Sequence, residues 1–454
     1  MRSRRRRIVL RVLGALLAVV LVALVGGYLY AKPLLLTGTG YAAHNACAVT
    51  AVAGRTDPES DLPANPLVPY LRVTVPQGDS GHPSASVFGV LAEQKAYYFL
   101  DAGCTLGSAF PSEGPLTQVP AGANPFTAAP TPTPSTAVAA AVAKAFGDDL
   151  PAAEQKALGT RAVLVIQGGK LIAERYAPGF TATTPQLGWS MSKSAASLLA
   201  GRVAHSGKLA VTDAGLRPEW TDDRAKITVD QLMRMTSGLT WNEDYDLGTP
   251  ITSMLYLEPD MATFVASQPL AHAPGTYQQY SSGSTNLLCS VLRQRTGVGV
   301  DLPRRELFAP LGLSSAVWEP DASGTPVCSS YLWATPRDWA AIGQFALQDG
   351  VWAGKRLLPE GWMAATTRSN AVATTEDPGY AAGWWANTLA DGTRAQPSLP
   401  ADAYSANGHD GQRVFVVPSA DLVVVRLGFS PTIKTPEKLR VVELVATLAG
   451  MPRS

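Results

Sequence analysis

Charge, histidine and cysteine are all scarce in this 454-residue chain, and each shortage excludes a class of site or partner. Charged residues make up 16% of the chain and the formal net charge is +1, which argues against a nucleic-acid surface. The five histidines stand singly, and the four cysteines form no C-x-x-C pair. We therefore expect no metal site and no cofactor, and no internal repeat is apparent.

The amino terminus departs from this low charge. Five arginines within the first seven residues precede an uncharged apolar run from Val12 to Tyr30. Nineteen helical residues span about 28 Å, close to the hydrocarbon thickness of a bilayer. The positive-inside rule leaves the arginines in the cytoplasm and the rest of the chain outside. We predict that residues 1–31 form an uncleaved single-span anchor. The alternative is a signal peptide that is cleaved before secretion, although this run is longer than usual for one.

Four cysteines suit an exported chain, because disulfides persist outside the cytoplasm. Cys47 and Cys104 lie before a Pro/Thr-rich segment, whereas Cys289 and Cys328 lie after it. The simplest pairing joins Cys47 to Cys104 and Cys289 to Cys328. A buried free thiol at Cys289, on an apolar helix, is the alternative.

Three further segments follow the anchor. Short apolar and alternating runs between Gly and Pro clusters predict a small β-rich extracytoplasmic region at 37–110. Alternating prolines and threonines predict an extended linker at 111–135. Residues 136–454 predict an α+β domain, in which strands near both ends close one sheet around helices in the middle.

Within that domain, the sequence places several elements. Two strands around Gly168-Gly169 predict a hairpin over 161–176. We also expect a helix from Ser190 to about His205, late strands at 413–417 and 422–427, and a carboxyl-terminal helix from about Pro436.

The tetrad Ser190-Met191-Ser192-Lys193 indicates nucleophilic catalysis. A serine hydroxyl needs a base to take its proton, and residues three apart share one face of a helix. Lys193 is therefore the expected base for Ser190. The helix amino terminus also favours the negative charge that develops on a substrate oxygen.

A second group must move the proton of the leaving group, and we expect it to be Tyr280. Beside a lysine ammonium, its phenol could act first as a base and then as an acid. Ser284-Thr285-Asn286, four residues further on, fits an S-x-N pattern and is the alternative.

The third element is the segment Gly408-His409-Asp410-Gly411-Gln412 before a strand. Glycines at a strand edge allow close approach of a substrate. We expect the Gln412 N–H to complete an oxyanion hole with the Ser190 N–H, Gly411 to line it, and His409 to act as a donor. No G-x-S-x-G is present, which excludes the nucleophile elbow of α/β-hydrolases.

These elements, in this order, resemble the class C β-lactamase and D-alanyl-D-alanine peptidase superfamily. Within it, the chain is most similar to serine hydrolases grouped with 6-aminohexanoate-dimer hydrolase. The segments that carry the resemblance are Trp189–Ser194, Met235–Glu243, Tyr280–Ser282 and Gly408–Gln412. The resemblance covers about residues 136–450. It implies a β-lactamase/penicillin-binding-protein-like antiparallel sheet flanked by helices, a mostly helical lobe from about 205 to 330, and an acyl-enzyme on Ser190.

Two positions depart from the β-lactamase pattern. Ser282 stands where an asparagine is usual, which removes one amide donor to an acyl side chain. His409 stands where a lysine is usual, and a mostly neutral imidazole holds a carboxylate less well. Both departures favour linear amides or carboxylic esters over β-lactams.

The leading hypothesis is an extracytoplasmic hydrolase that takes small or peptide-like amide or ester substrates. A D,D-peptidase or β-lactamase of cell-wall chemistry is the second hypothesis. A catalytically silent envelope-binding protein is the third, but the intact Ser190, Lys193 and Tyr280 disfavour it. No protein partner is evident from the sequence.

Overall fold

Helices occur from the amino-terminal to the carboxyl-terminal end of the described residues. The computed structural model describes residues 2–62, 65–76, 81–107, 114–120, 122–433 and 435–451. Residues 108–113 and 121, at the end of the predicted β-rich region and in the predicted linker, lie outside the described residues. The α-helices are α1 (Arg2–Cys47), α2 (Thr136–Ala145), α3 (Ala152–Leu158), α4 (Met191–His205), α5 (Val229–Met233), α6 (Pro250–Leu257), α7 (Met261–Ala266), α8 (Ser282–Thr296), α9 (Ala309–Leu311), α10 (Pro336–Leu347), α11 (Trp362–Thr366) and α12 (Val441–Ala449).

In the described residues, the strands form two larger sheets, a three-stranded sheet and two short pairs. They are β1 (Leu71–Thr74), β2 (Ser84–Val87), β3 (Leu91–Phe99), β4 (Gly103–Leu106), β5 (Thr160–Gln167), β6 (Lys170–Tyr176), β7 (Gln186–Leu187), β8 (Tyr277–Gln278), β9 (Val317–Trp318), β10 (Leu332–Ala334), β11 (Val351–Trp352), β12 (Lys355–Arg356), β13 (Thr374–Thr375), β14 (Trp385–Ala386), β15 (Tyr404–Asn407), β16 (Arg413–Val417) and β17 (Leu422–Gly428).

The central sheet is antiparallel and joins the two ends of the α+β domain. Its strand order is β14-β15-β16-β17-β5-β6. Late strand β17 pairs with early strand β5, with Leu164 opposite Val425. This pairing agrees with the expectation that strands from both ends close one sheet.

Side-chain alternation along β5 explains why helices cover both faces of this sheet. Leu164 and Ile166 are buried in the core shared with α4, whereas Val163 and Val165 are buried in the core shared with α2 and α12. Successive strand residues point to opposite faces, so a strand buried on both sides must be apolar throughout.

The amino-terminal helix is longer than the sequence predicted. We expected it to end near residue 31, but α1 continues without interruption to Cys47. A Cβ at Gly40 would be 2.9 Å from the Tyr256 side chain, and one at Gly38 would be 2.6 Å from the Leu67 side chain. These glycines permit close packing, and that packing stabilises the extra turns despite their low helix propensity.

A four-stranded antiparallel sheet, β1-β2-β3-β4, packs along the end of α1. We call α1 from residue 35 onward together with this sheet the amino-terminal unit. A disulfide between Cys47 and Cys104 joins its helix to β4, and a second joins Cys289 to Cys328. Both predicted pairs are confirmed.

The described part of the predicted linker lies against the catalytic domain. Phe126 is buried in the main core, and the Arg337 guanidinium donates to its carbonyl oxygen. The Asn124 amide donates to the buried Asp338 carboxylate at 2.7 Å. This stretch is therefore packed against the domain and is not a free stalk.

The carboxyl-terminal helix begins later than we predicted. We expected it to start near Pro436, but α12 begins at Val441. Arg440, just before it, has a left-handed φ of 59°, so the chain turns sharply there and the helix cannot extend further back.

Candidate active site

Ser190 lies in a tight turn at the start of α4. Its neighbour Trp189 has a φ of 48°, an uncommon conformation for a bulky residue and a sign of local strain. Gly188 packs against Trp339 so closely that a Cβ would be 2.2 Å from the indole ring. The turn therefore fixes Ser190 at the amino-terminal end of the helix, as the sequence predicted.

Lys193 is the nearest base to the Ser190 hydroxyl. Its Nζ lies 2.8 Å from Ser190 Oγ, 2.9 Å from Ser282 Oγ and 3.1 Å from the Ser329 carbonyl oxygen. The lysine is 1% exposed. Burial lowers the pKa of Lys193 to about 8, while the Glu243 carboxylate opposes the fall. A substantial fraction of this lysine is thus neutral at mildly alkaline pH and can accept a proton.

Glu243 is a site residue to which our sequence analysis assigned no role. Ser282 Oγ donates to it at 2.5 Å, the Ser282 N–H donates at 2.8 Å, and the Trp241 indole donates at 2.6 Å. A continuous chain of hydrogen bonds therefore runs from Ser190 through Lys193 and Ser282 to Glu243. The sequence feature that points to Glu243 is the Met235–Glu243 segment, which carries part of the family resemblance.

Tyr280 lies beside this chain of hydrogen bonds. Its ring centroid is 4.8 Å from Lys193 Nζ, and its ring also contacts Tyr380 and Trp385. Burial raises the pKa of Tyr280 well above its usual value, although a hydrogen bond with Ser190 opposes the rise. Tyr280 therefore keeps its proton in the free protein, which suits an acid better than the initial base that we expected.

The alternative S-x-N pattern lies deeper in the structure. Ser284 faces Ser237 at 3.4 Å, and its N–H is capped by Ser281. The Asn286 side-chain oxygen accepts from the Ser329 N–H at 2.9 Å. Asn286 therefore positions Ser329, whose carbonyl oxygen accepts from Lys193. Ser282, and not Ser284, thus contacts the lysine.

The third sequence element presents the His409 side chain to the site. The His409 ring stacks on Tyr245 with centroids 5.0 Å apart and meets the Trp189 ring edge-on at 5.8 Å. The Gln412 N–H points to the His409 carbonyl oxygen at 3.4 Å, and its side chain bonds Gly428. This geometry does not support Gln412 as the oxyanion donor, because its N–H is already used inside the turn.

Gly411 has a different role from the one we predicted. Its φ is 91°, a Cβ there would lie 2.4 Å from Arg426 Nη1, and its carbonyl oxygen accepts from that guanidinium at 2.8 Å. A glycine is therefore needed to accommodate the buried Arg426, and we find no contact of Gly411 with Ser190 among the described residues.

Comparison with known proteins identifies the group to which this geometry belongs. The family described as Beta-lactamase matches residues 138–431, more than half of the chain. The chain belongs to the beta-lactamase family. Over 298 residues it is 25% identical to the 6-aminohexanoate-dimer hydrolase of Paenarthrobacter ureafaciens, covering 60% of this chain and 73% of that protein.

Solved structures share the fold of this beta-lactamase-family protein. A penicillin-binding protein homologue from Caulobacter crescentus superimposes with a TM-score of 0.54 at 18% identity, covering 69% of this chain and 98% of that one. A family VIII carboxylesterase gives a TM-score of 0.53 at 16% identity, covering 70% and 99%. The predicted fold and the predicted enzyme class, a serine hydrolase, are confirmed.

The rim of the hydrolase site includes a residue from outside the matched segment. The Trp189 ring contacts Tyr41 of α1 edge-on, with centroids 6.0 Å apart, as well as Tyr245 and Tyr331. His44, one turn further along α1, stacks on Tyr331 at 4.1 Å. The amino-terminal unit thus packs directly against Trp189, the residue that precedes Ser190. Nothing in the local sequence around Tyr41 signals this contact.

A cavity of about 330 Å³ opens on the other side of Tyr280, across the Trp385 ring. Tyr404, Asn407 and Arg413 also line it. Its size suits part of a small organic substrate. Within the described ranges of the chain, no group of three metal-ligating side chains is present.

Proposed function

We propose that this protein is an extracytoplasmic, membrane-anchored hydrolase that cleaves amide or carboxylic ester bonds through an acyl-enzyme on Ser190. The observation that carries this proposal is the 2.8 Å contact between Ser190 Oγ and a fully buried Lys193, whose pKa is lowered to about 8. A buried, partly neutral lysine at hydrogen-bond distance is what activates a serine nucleophile.

In the acylation step, Ser190 Oγ attacks the substrate carbonyl carbon and its proton passes to Lys193 Nζ. The Ser190 N–H at the start of α4 stabilises the developing oxyanion. We place the second donor at the backbone N–H of His409. The preceding Gly408 approaches the Gly188 carbonyl so closely that a Cβ would lie 2.1 Å from it.

In the second half of acylation, the leaving nitrogen or oxygen takes the Tyr280 proton, and Lys193 returns a proton to the phenolate. The carbon–heteroatom bond then breaks and the acyl group stays on Ser190. Water hydrolyses this ester by the same transfers in reverse order, releasing the acid and restoring the Ser190 hydroxyl.

The proposed substrates are linear amides or esters. Ser282 is committed to Lys193 and Glu243, so it offers no amide donor to an acyl side chain. His409 stacks on Tyr245, and its Nε2 lies 3.4 Å from the Asp410 carboxylate, which competes with a substrate carboxylate for this ring. These two features disfavour efficient β-lactam hydrolysis.

The proposed location rests on α1. An 18-residue window within it is apolar enough to cross a membrane and has no buried residues. The helix continues into the amino-terminal unit, and no extended segment follows the apolar run at which a signal peptidase could cut. Two disulfides suit an oxidising compartment.

A fluorophosphonate probe tests the nucleophile. We expect labelling of the wild type and none of Ser190→Ala, while Ser206→Ala, at the other end of α4, serves as a matched control and is labelled normally. A folded wild type that does not react would refute the proposed chemistry.

The substrate class and the anchor need separate measurements. p-Nitrophenyl esters, 6-aminohexanoate oligomers and nitrocefin should be compared with Ser190→Ala as the blank, and we expect turnover of the first two to exceed that of nitrocefin. Intact-mass measurement of the membrane-extracted chain tests the anchor, because signal cleavage would remove the apolar run.

A further inference from the structure

The folded body of the protein begins where the apolar run of α1 ends. The described side chains of α1 are exposed as far as Gly27, and partial burial begins at Tyr28. The apolar run ends only two residues later, at Tyr30. No spacer therefore separates the proposed membrane span from the amino-terminal unit.

Hydrogen bonds between β3 and α1 set the position of the amino-terminal unit along the helix. The Ala92 N–H donates to Tyr28 Oη at 3.1 Å, and its carbonyl oxygen accepts from Thr39 Oγ1 at 2.7 Å. Further along the strand, the Gln94 amide donates to the Leu36 carbonyl at 3.1 Å. The start of β3 is thus the part of the strand that contacts the apolar end of α1, through Tyr28.

The far end of β3 lies near the opposite end of α1. Tyr98 pairs with Cys104, which is bonded to Cys47 at the end of α1. The turn between β2 and β3 directly precedes Leu91 and Ala92, and the Ala92 N–H bonds Tyr28 Oη. It thus lies near the level of Tyr28.

This turn exposes apolar side chains. Phe88 is 61% exposed and Val90 is 79% exposed, and Tyr70 packs on Phe88 with ring centroids 5.3 Å apart. Tyr28 and Tyr30 lie at the same end of α1, where aromatic residues commonly occupy the membrane–water interface. Exposed apolar side chains next to a proposed span indicate a lipid contact.

We propose that the β2–β3 turn inserts Phe88 and Val90 into the interface of the bilayer that α1 spans. This inference rests on the proposed membrane anchor. With two contacts, the catalytic domain is held against the membrane in one orientation. Tyr41 lies eleven residues beyond Tyr30, so the rim of the active site is held about 16 Å along the helix from the end of the apolar run.

Site-specific fluorescence of the full chain in lipid nanodiscs tests this contact. Both native cysteine pairs are disulfides, so a nitrobenzoxadiazole label attaches only to an introduced thiol. Val90→Cys is the test variant, and Leu100→Cys is the matched control, since Leu100 is 78% exposed at the opposite end of β3. Leu21→Cys reports on the span itself.

We expect the label at position 90 to be quenched by doxyl lipids and protected from aqueous iodide, and the label at position 100 to behave in the opposite way. Iodide access at position 90 with lipid quenching at position 21 would overturn the turn contact and leave the anchor intact. Iodide access at position 21 would overturn both proposals. Protection at 90 without lipid quenching would mean that protein covers the turn, and would also overturn the inference. Fluorophosphonate labelling of each variant shows that it is folded.

Discussion

The proton of Ser190 has a continuous path into the interior of the protein. In the proposed mechanism Lys193 receives it, and behind the lysine lie the Ser282 hydroxyl and the Glu243 carboxylate. Burial and the carboxylate act on the lysine in opposite directions, since burial lowers its pKa and Glu243 raises it. In the proposed mechanism, the balance between these two effects on the Lys193 pKa sets the pH at which Ser190 becomes active.

The pH profile should report this balance. For an activated ester, we expect kcat/KM of the wild type to rise with pH through a pKa near 8, because the neutral lysine is the base. Glu243→Gln removes the charge that raises the Lys193 pKa, so the rising limb should move to lower pH. Asp244→Asn, an exposed neighbour, is the control. A limb that stays in place or moves to higher pH would contradict the role of Glu243.

Tyr280→Phe should separate substrates by their leaving group. The phenol supplies a proton that a poor leaving group needs and an activated one does not, so amide turnover should fall by about 10²–10⁴-fold and p-nitrophenyl ester turnover by much less. Tyr277→Phe, three residues earlier, is the control. Equal losses on amides and esters would indicate that Tyr280 acts through packing alone.

At the scale of elements, the disulfide between Cys289 and Cys328 joins two segments that contact Lys193. Cys289 lies on α8, which begins at Ser282, and Cys328 precedes Ser329, whose carbonyl oxygen accepts from Lys193. The bond therefore helps to hold two of the three acceptors of the lysine at a fixed separation.

Replacing Cys289 and Cys328 together by serine should lower the free energy of unfolding by about 2–4 kcal/mol. Because Ser282 and the Ser329 carbonyl group become less constrained around Lys193, kcat should fall as well. The corresponding Cys47/Cys104 double variant should lose stability but keep normal fluorophosphonate labelling. Denaturant unfolding and ester turnover measure the two effects, and an unchanged kcat in the first variant would show that the bond is only structural.

Local patterns predicted some elements well and missed others for physical reasons. The hairpin β5–β6 and the helix after Ser190 were predictable, because their periodicity and turn residues are close together in sequence. Gly38 and Gly40 gave no sign of a continuing helix, since the packing that stabilises it comes from residues as distant as Tyr256. The same holds for Tyr41, which reaches the active site only through tertiary packing.

At the scale of the whole molecule, Glu319 connects the amino-terminal unit to the catalytic domain. This fully buried carboxylate accepts from the Cys104 N–H at 2.8 Å and from the Trp333 indole at 2.9 Å, and it lies 3.2 Å from His44 Nε2. The packing of the amino-terminal unit against the catalytic domain thus depends on the Glu319 side chain.

Glu319→Ala should lower the free energy of unfolding by about 2–4 kcal/mol, because it leaves buried donors without an acceptor. Glu360→Ala, at an exposed position, should change it by less than about 0.5 kcal/mol. Denaturant unfolding measures both. If Glu319→Ala were as stable as the wild type, the two parts would not depend on this contact.

The bond between Cys47 and Cys104, 57 positions apart, also governs how the hydrolase domain could be released from the proposed membrane anchor. Every peptide bond between these two residues lies inside a covalent ring. One proteolytic cut within the ring opens it but leaves the helix and the hydrolase joined through sulfur. Release of the domain therefore requires a cut before Cys47 or after Cys104, or a cut inside the ring together with reduction of the disulfide.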